Sequence, residues 1–179
     1  MTAYWVILSV LALVLFLRLV LKPVESRRHK ARRREAERVR DLFSRGGFST
    51  AQGIAYLRKI NPYAFEELIL DGFEKAGYSV KRNRSYSGDG GVDGRVTRNG
   101  EEYLVQCKRY RGHISRQDVE DFSRVCTRER KRGFFVHTGK TGEGSWETAG
   151  QFGNVDIVSG RRMLAVAGLF ENLNSFEDE

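Results

Sequence analysis

Sulfur, proline and histidine are scarce in this chain. Of 179 residues, two are cysteine, two methionine, two proline and three histidine. Cys107 and Cys126 form no CxxC pair and no zinc-type spacing, which excludes a disulfide framework and a thiolate zinc site. Both read as reduced residues, one on a strand and one on a helix, as in a cytosolic compartment. His29, His113 and His137 show no metal-ligand spacing either, and His137 sits inside an apolar strand as a core or edge residue. Gly139-Lys140-Thr141 has the ending of a phosphate-binding loop, but Phe134 stands where the earlier glycine is required, which excludes that nucleotide site. Negative charge is also short. Lys and Arg number 31 against 23 Asp and Glu, a net charge of +8. Such a balance favours a polyanionic partner, either nucleic acid or an anionic membrane surface.

Long apolar runs are absent except at the start. Tyr4 to Leu21 is nearly all apolar, broken only by Ser9 and Arg18. About 18 such residues just span a bilayer core. No basic segment precedes the run and no small-x-small site succeeds it, so it reads as an anchor rather than a cleaved signal. Lys22, Arg27, Arg28, Lys30, Arg32, Arg33, Arg34, Arg38 and Arg40 come next. The positive-inside rule then predicts a single-pass inner-membrane protein with its C-terminal body in the cytoplasm. The basic segment to about Arg45 reads as a solvated juxtamembrane helix drawn to anionic lipid. The expected organisation is an anchor over 1–21, a basic helix and linker over 22–60, a globular domain over 61–170 and an acidic tail over 171–179.

Within the domain, Asn61 caps a helix that has Pro62 at its first position and ends at Gly77. Next come a strand near Tyr78 to Arg82, a glycine-rich turn, a hairpin, a helix capped by Ser115, and a strand over Gly133 to Thr138. A helix near Trp146 to Phe152, a strand over Val155 to Val158 and a closing helix over Arg161 to Leu169 complete the order. This predicts an α/β domain with a mixed central sheet flanked by helices. Trp146 reads as a packing residue.

The hairpin carries the most chemistry. Asn99-Gly100 signals a two-residue type I′ turn. Counting back from Arg98 opposite Glu101 sets Asp93 opposite Gln106, about 5 Å apart at Cβ. Gln106 and Lys108 then share one face, and Val105 and Cys107 the other. An acid, an amide oxygen and an ammonium converge, a set able to hold a divalent cation beside a phosphate. On the preceding helix, Phe65, Leu68, Ile69, Gly72, Phe73 and Ala76 mark the buried face. Glu66 lies at its flank, within reach of the site, and Glu67 points to solvent. Lys81, Arg82, Arg84, Arg109, Arg111 and Arg116 flank the cluster as candidate phosphate contacts. Asp89 reads as a turn residue.

Phe65-Glu66 on a helix, Gly88-Asp89-Gly90-Gly91-Val92-Asp93, and Gln106-Cys107-Lys108 on a strand together resemble the Mrr-like restriction endonuclease family of the PD-(D/E)xK nuclease superfamily. The resemblance covers roughly Asn61 to Leu169 and leaves the anchor outside. It implies a restriction-endonuclease-like αβββαβ core. It also implies Asp93 as metal-binding acid, Gln106 in the usual Asp/Glu position, Lys108 as catalytic lysine and Glu66 as helix acid. The chemistry implied is hydrolysis of DNA phosphodiester bonds in restriction or foreign-DNA defence. The cofactor would be Mg²⁺, with Mn²⁺ as substitute, and the Cys107 carbonyl would be a further ligand. A homodimer is expected, because the domain is small for an enzyme cutting both strands. The competing reading is a non-catalytic module that uses the same fold to tether nucleic acid or protein at the membrane.

Overall fold

The computed structural model describes residues 27–83 and 91–170, together with Tyr4, Trp5 and Ile7. Most of the expected anchor, Arg84, Asp89 and the acidic tail therefore lie outside the described residues. Among those described, no helix is long and apolar enough to cross a membrane. The chain divides into two compact units, Met1–Ala31 and Arg32–Glu179. The β-sheet lies wholly within the second.

Eleven elements are described: α1 (Arg27–Ser44), α2 (Thr50–Leu57), α3 (Pro62–Lys75), β1 (Ser79–Arg82), β2 (Gly94–Arg98), β3 (Glu101–Lys108), α4 (Arg116–Glu129), β4 (Arg132–His137), α5 (Glu143–Phe152), β5 (Val155–Val158) and α6 (Gly160–Val166). The strands form one sheet in chain order. β1, β2 and β3 form an antiparallel meander. β3, β4 and β5 then run parallel, with α4 and α5 as the crossovers. The predicted order is present, with element ends moved by one to three residues.

Both faces of the sheet are covered. Val96, Val105, Cys107, Phe134, Val136 and Val158 pack with Phe65, Leu68, Ile69 and Phe73 of α3 and with Met163 and Leu164 of α6. Leu104, Phe135 and Ile157 pack on the other side with Val119 and Phe122 of α4 and Ala149 of α5. The alternation along β3 is thus the one expected, Val105 and Cys107 against Leu104. Local signals set the helix ends. Asn61 Oδ1 accepts from Tyr63 N at 3.0 Å with Pro62 at the first helical position. Ser49 and Gln52 make a reciprocal capping box on α2.

Three expectations fail. The basic helix α1 is not simply solvated: Ala36, Val39 and Phe43, spaced three and four apart, are buried in the core shared with α3 and α6. Arg33 and Arg40 reach Asp71 at 3.5 and 3.8 Å, so part of the positive charge serves internal pairing. Glu67 is not in solvent but 2 % exposed. The cause is Arg82, whose guanidinium bonds Glu67 at 3.0 Å, Asp71 at 2.5 Å and Glu74 at 3.0 Å. A carboxylate tolerates burial only with such a partner. Trp146 is not packed but 53 % exposed at the start of α5.

Phe43 stacks on Phe48 with centroids 4.3 Å apart, and meets Tyr56 edge-on. Truncation there should cost about 3–5 kcal/mol, as for a large buried aromatic. Urea unfolding of Phe43→Ala tests this; an unchanged midpoint would mean that α1 does not belong to the cooperative unit.

Candidate active site

Asn99 at φ 53° and Gly100 at φ 83° close the hairpin as a two-residue turn. Arg98 pairs with Glu101, and the register runs to Gly94 opposite Val105. One step further sets Asp93 opposite Gln106. Asp93 N donates to Val105 O at 2.8 Å, and Cys107 N donates to Asp93 Oδ2 at 2.6 Å. The carboxylate is therefore fixed against the β3 backbone by a charge-assisted bond.

Gln106 is 7 % exposed. Its Nε2 donates to Gly91 O at 2.5 Å, which orients the amide. Its Oε1 is buried and has no hydrogen-bond partner among the described residues. Gly91 stands at φ 87°, and a Cβ there would lie 2.5 Å from Gln106 Nε2. Only glycine lets the turn approach this closely.

Glu66, on α3, is pushed up to about 8, by burial first and then by the negative charges of Asp93 and Glu67, with Arg109 opposing. Helix α3 thus brings Glu66 into the electrostatic field of Asp93, as expected from its flank position. The Cys107 thiol is driven well upward by burial, Asp93 and Glu66, so it stays neutral. Lys108 Nζ lies 3.4 Å from Asp118 Oδ1, and the Tyr110 hydroxyl donates to Asp118 Oδ2. Burial and then Asp118 raise the Tyr110 phenol. Thr138 ties this corner together. Its hydroxyl bonds Tyr110 N and O at 3.0 Å, and its N–H reaches Lys108 O at 3.2 Å.

Among the described residues, no three of His, Cys, Asp and Glu gather as a ready ligand group. The donors present still fit a hard cation. A buried amide oxygen has no hydrogen-bond partner among the described residues, and Asp93 lies close enough to add to the effect of burial in raising the Glu66 carboxyl. An all-oxygen set of this kind suits Mg²⁺ or Ca²⁺ rather than a thiolate metal.

The expected phosphate contacts divide. Arg82 is withdrawn by its three carboxylates, so that assignment is corrected. Arg109 uses one nitrogen on Arg58 O and Ile60 O, at 3.0 and 2.5 Å, and is half-buried. Lys81, Arg111 and Arg116 are exposed. Asp118 and Tyr110 join the site without having been expected there. Tyr110 lies two residues beyond Lys108 and shares its parity on an extended chain, a usable signal. Asp118 comes from a different element, and no spacing rule points to it.

This fold and this residue set belong to a recognisable class. The chain is a member of the Mrr_cat restriction endonuclease family, whose model matches residues 57–167. Among individual proteins it is similar to the Type IV methyl-directed restriction enzyme EcoKMrr of Escherichia coli (strain K12), 27 % identical over 116 residues. That match covers 60 % of this chain and 38 % of the relative, so the chain corresponds to less than half of that enzyme. In fold it is similar to the MspJI restriction endonuclease in complex with a 27-mer oligonucleotide, with TM-score 0.53 and 23 % identity over 65 % of this chain and 30 % of that one.

An acid whose proton is held more tightly in the folded chain costs folding stability as pH rises. For Glu66 that cost starts above about 4.5 and is complete near 8. In EDTA, Glu66→Gln should therefore become more stable than wild type across this window, by a few kcal/mol at its upper end. Urea unfolding at several pH values reads the difference; a difference independent of pH would place the proton elsewhere.

Proposed function

We propose that this protein is a metal-dependent DNA endonuclease that hydrolyses phosphodiester bonds in restriction or foreign-DNA defence. The single observation that carries the reading is the buried Oε1 of Gln106, which has no hydrogen-bond partner among the described residues, beside Asp93 and on the strand that also bears Lys108. Membership of the restriction endonuclease family supports it. Asp93, Gln106 and the Cys107 carbonyl would hold Mg²⁺, or Mn²⁺ in its place, and Glu66 would serve as an outer ligand. Bound there, the cation supplies an acidified water and charge neutralisation at phosphorus.

The chain's own residues do the remainder. Lys108 presents an ammonium to the charge that develops on the phosphoryl oxygens. Asp118 holds that ammonium and Tyr110 holds Asp118, so both act as positioning residues through Lys108. Gly91 sets the amide of Gln106 and the Cys107 N–H sets the carboxylate of Asp93. Lys81, Arg111 and Arg116 would meet the DNA backbone. The apolar run Tyr4 to Leu21 is proposed to anchor the protein in the inner membrane, with anionic lipid near the first basic residues and the nuclease domain in the cytoplasm. A homodimer would place two centres on the two strands.

Asp93→Ala and Lys108→Ala should each lower cleavage of supercoiled DNA at least about a hundredfold, with thermal unfolding little changed. EDTA should do the same to wild type. Asp118→Asn should lower kcat roughly tenfold with little change in KM, Tyr110→Phe less, and Asp118→Glu should recover part of the loss. Metal-dependent cleavage by a folded Asp93→Ala/Lys108→Ala double variant would overturn the assignment. DNA binding without cleavage by wild type would favour a tethering module instead.

A further inference from the structure

We propose that the cleft lined by Arg58, Lys59, Arg109, Tyr110 and Arg111 is a phosphate-binding subsite for a nucleic-acid strand, beside the candidate active site. The cleft has a volume of about 450 Å³, and four of its five lining residues are cations. No carboxylate lines it among the described residues.

What sets this place apart is that cations without a carboxylate partner among the described residues gather around one cleft. Arg33, Arg40, Arg82, Arg95, Arg124 and Arg162 each lie on a carboxylate. Arg58, Lys59, Arg109 and Arg111 make no ion pair among the described residues. Where they do bond, they bond neutral acceptors. Arg58 donates from Nε and Nη2 to Thr138 O at 2.9 and 2.6 Å, and Arg109 donates to Arg58 O and Ile60 O. A carbonyl orients a guanidinium without cancelling its charge. Arg109 Nε is buried and makes no hydrogen bond among the described residues. Two long side chains are thus held before any ligand arrives, which removes much of the entropy cost of binding an anion. Lys59 and Arg111 stand exposed at the rim.

Position gives the cleft its ligand. Arg109 to Arg111 follow Lys108 directly as the chain leaves β3, and Glu66 feels the charge of Arg109. Three residues of chain reach at most about 10 Å. That is the rise of roughly three nucleotides along one DNA strand. A strand whose scissile phosphate lay at Asp93 and Lys108 would bring a neighbouring phosphate to this cleft; that placement rests on the nuclease reading. The chemistry recognised is a phosphate oxyanion, either an internal diester or a terminal monophosphate.

The test uses the full chain carrying Asp93→Ala in EDTA, so that cleavage plays no part. Binding of a labelled duplex is followed by anisotropy over a salt series. Lys59→Ala/Arg111→Ala removes the two rim cations, neither of which holds the backbone. It should weaken binding about tenfold and flatten the plot of log affinity against log salt by about 1 to 2. Lys75→Ala/Arg128→Ala, which removes exposed cations at the far ends of α3 and α4, should change neither as much. A loss confined to 5′-phosphorylated duplex would assign a terminal phosphate; an equal loss with 5′-hydroxyl duplex would assign an internal one. Wild-type affinity and slope in the rim variant, or an equal effect from the control pair, would overturn the subsite. If the chain without Asp93→Ala binds through the cleft but never cleaves with Mg²⁺ or Mn²⁺, the subsite stands and the nuclease reading falls.

Discussion

Asn99 and Gly100 both stand at positive φ, and the turn they make leaves β2 and β3 a single register. Side chains alternate with period two, so a slip of one residue would exchange the faces of β3. Gln106 and Lys108 would enter the apolar layer under α3, and Val105 and Cys107 would leave it. Burying an amide and an ammonium among Phe65, Leu68 and Phe134 would cost several kcal/mol, which is why the alternative is not populated. The same register sets Asp93 where the Cys107 N–H can hold its carboxylate. One turn therefore determines which acid stands opposite which amide, and which lysine shares the face of that amide.

The rest of the domain is organised by where charge is cancelled and where it is not. Asp71, Glu67 and Glu74 surround Arg82, with Arg33 and Arg40 also reaching Asp71. That cluster welds α1, α3 and β1 together, and it uses carboxylates and arginines in comparable number. At the site the balance breaks in two directions. Glu66 is buried close to Asp93, and its burial first, then the charges of Asp93 and Glu67, let it hold its proton to about 8. A short distance along the chain, Arg58, Lys59, Arg109 and Arg111 gather positive charge with no acid among the described lining residues. A protein meant only to be stable has no reason to keep either imbalance. On the proposed reading, a phosphodiester with a divalent cation would relieve both, the cation at the carboxylates and the oxyanions at the arginines.

How local an interaction is decides whether the sequence declares it. The hairpin is closed by two adjacent residues, so its register and the Asp93, Gln106 and Lys108 set come from counting. Asn61 and Pro62 likewise declare the start of α3 at the place where the helix begins. Glu67 shows the limit. A helical wheel turns it away from the apolar face, but its environment is decided by Arg82, fifteen residues on, which the wheel does not contain. Asp118 is hidden for the same reason, since α4 must fold back on the sheet before its first turn meets Lys108. In α1 the signal is present in the sequence. Ala36, Val39 and Phe43 have helical spacing, but arginines on every side give the segment the composition of a wholly exposed helix.

The burial of α1 ties the basic segment to the chemistry. α1 is buried along one face against α3 and α6, and α2 packs through Leu57 into the same core. The chain then passes Arg58, whose guanidinium grips Thr138 O while its own carbonyl accepts from Arg109. Thr138 in turn binds the backbone of Tyr110 and Lys108. A chain of direct bonds therefore joins the end of α2 to the lysine at the centre of the site. Bonds to backbone carbonyls have no side-chain freedom on the acceptor side, so they transmit position better than surface ion pairs do. A shift of α2 on the core would accordingly move the corner from which Lys108 and the basic cleft are presented.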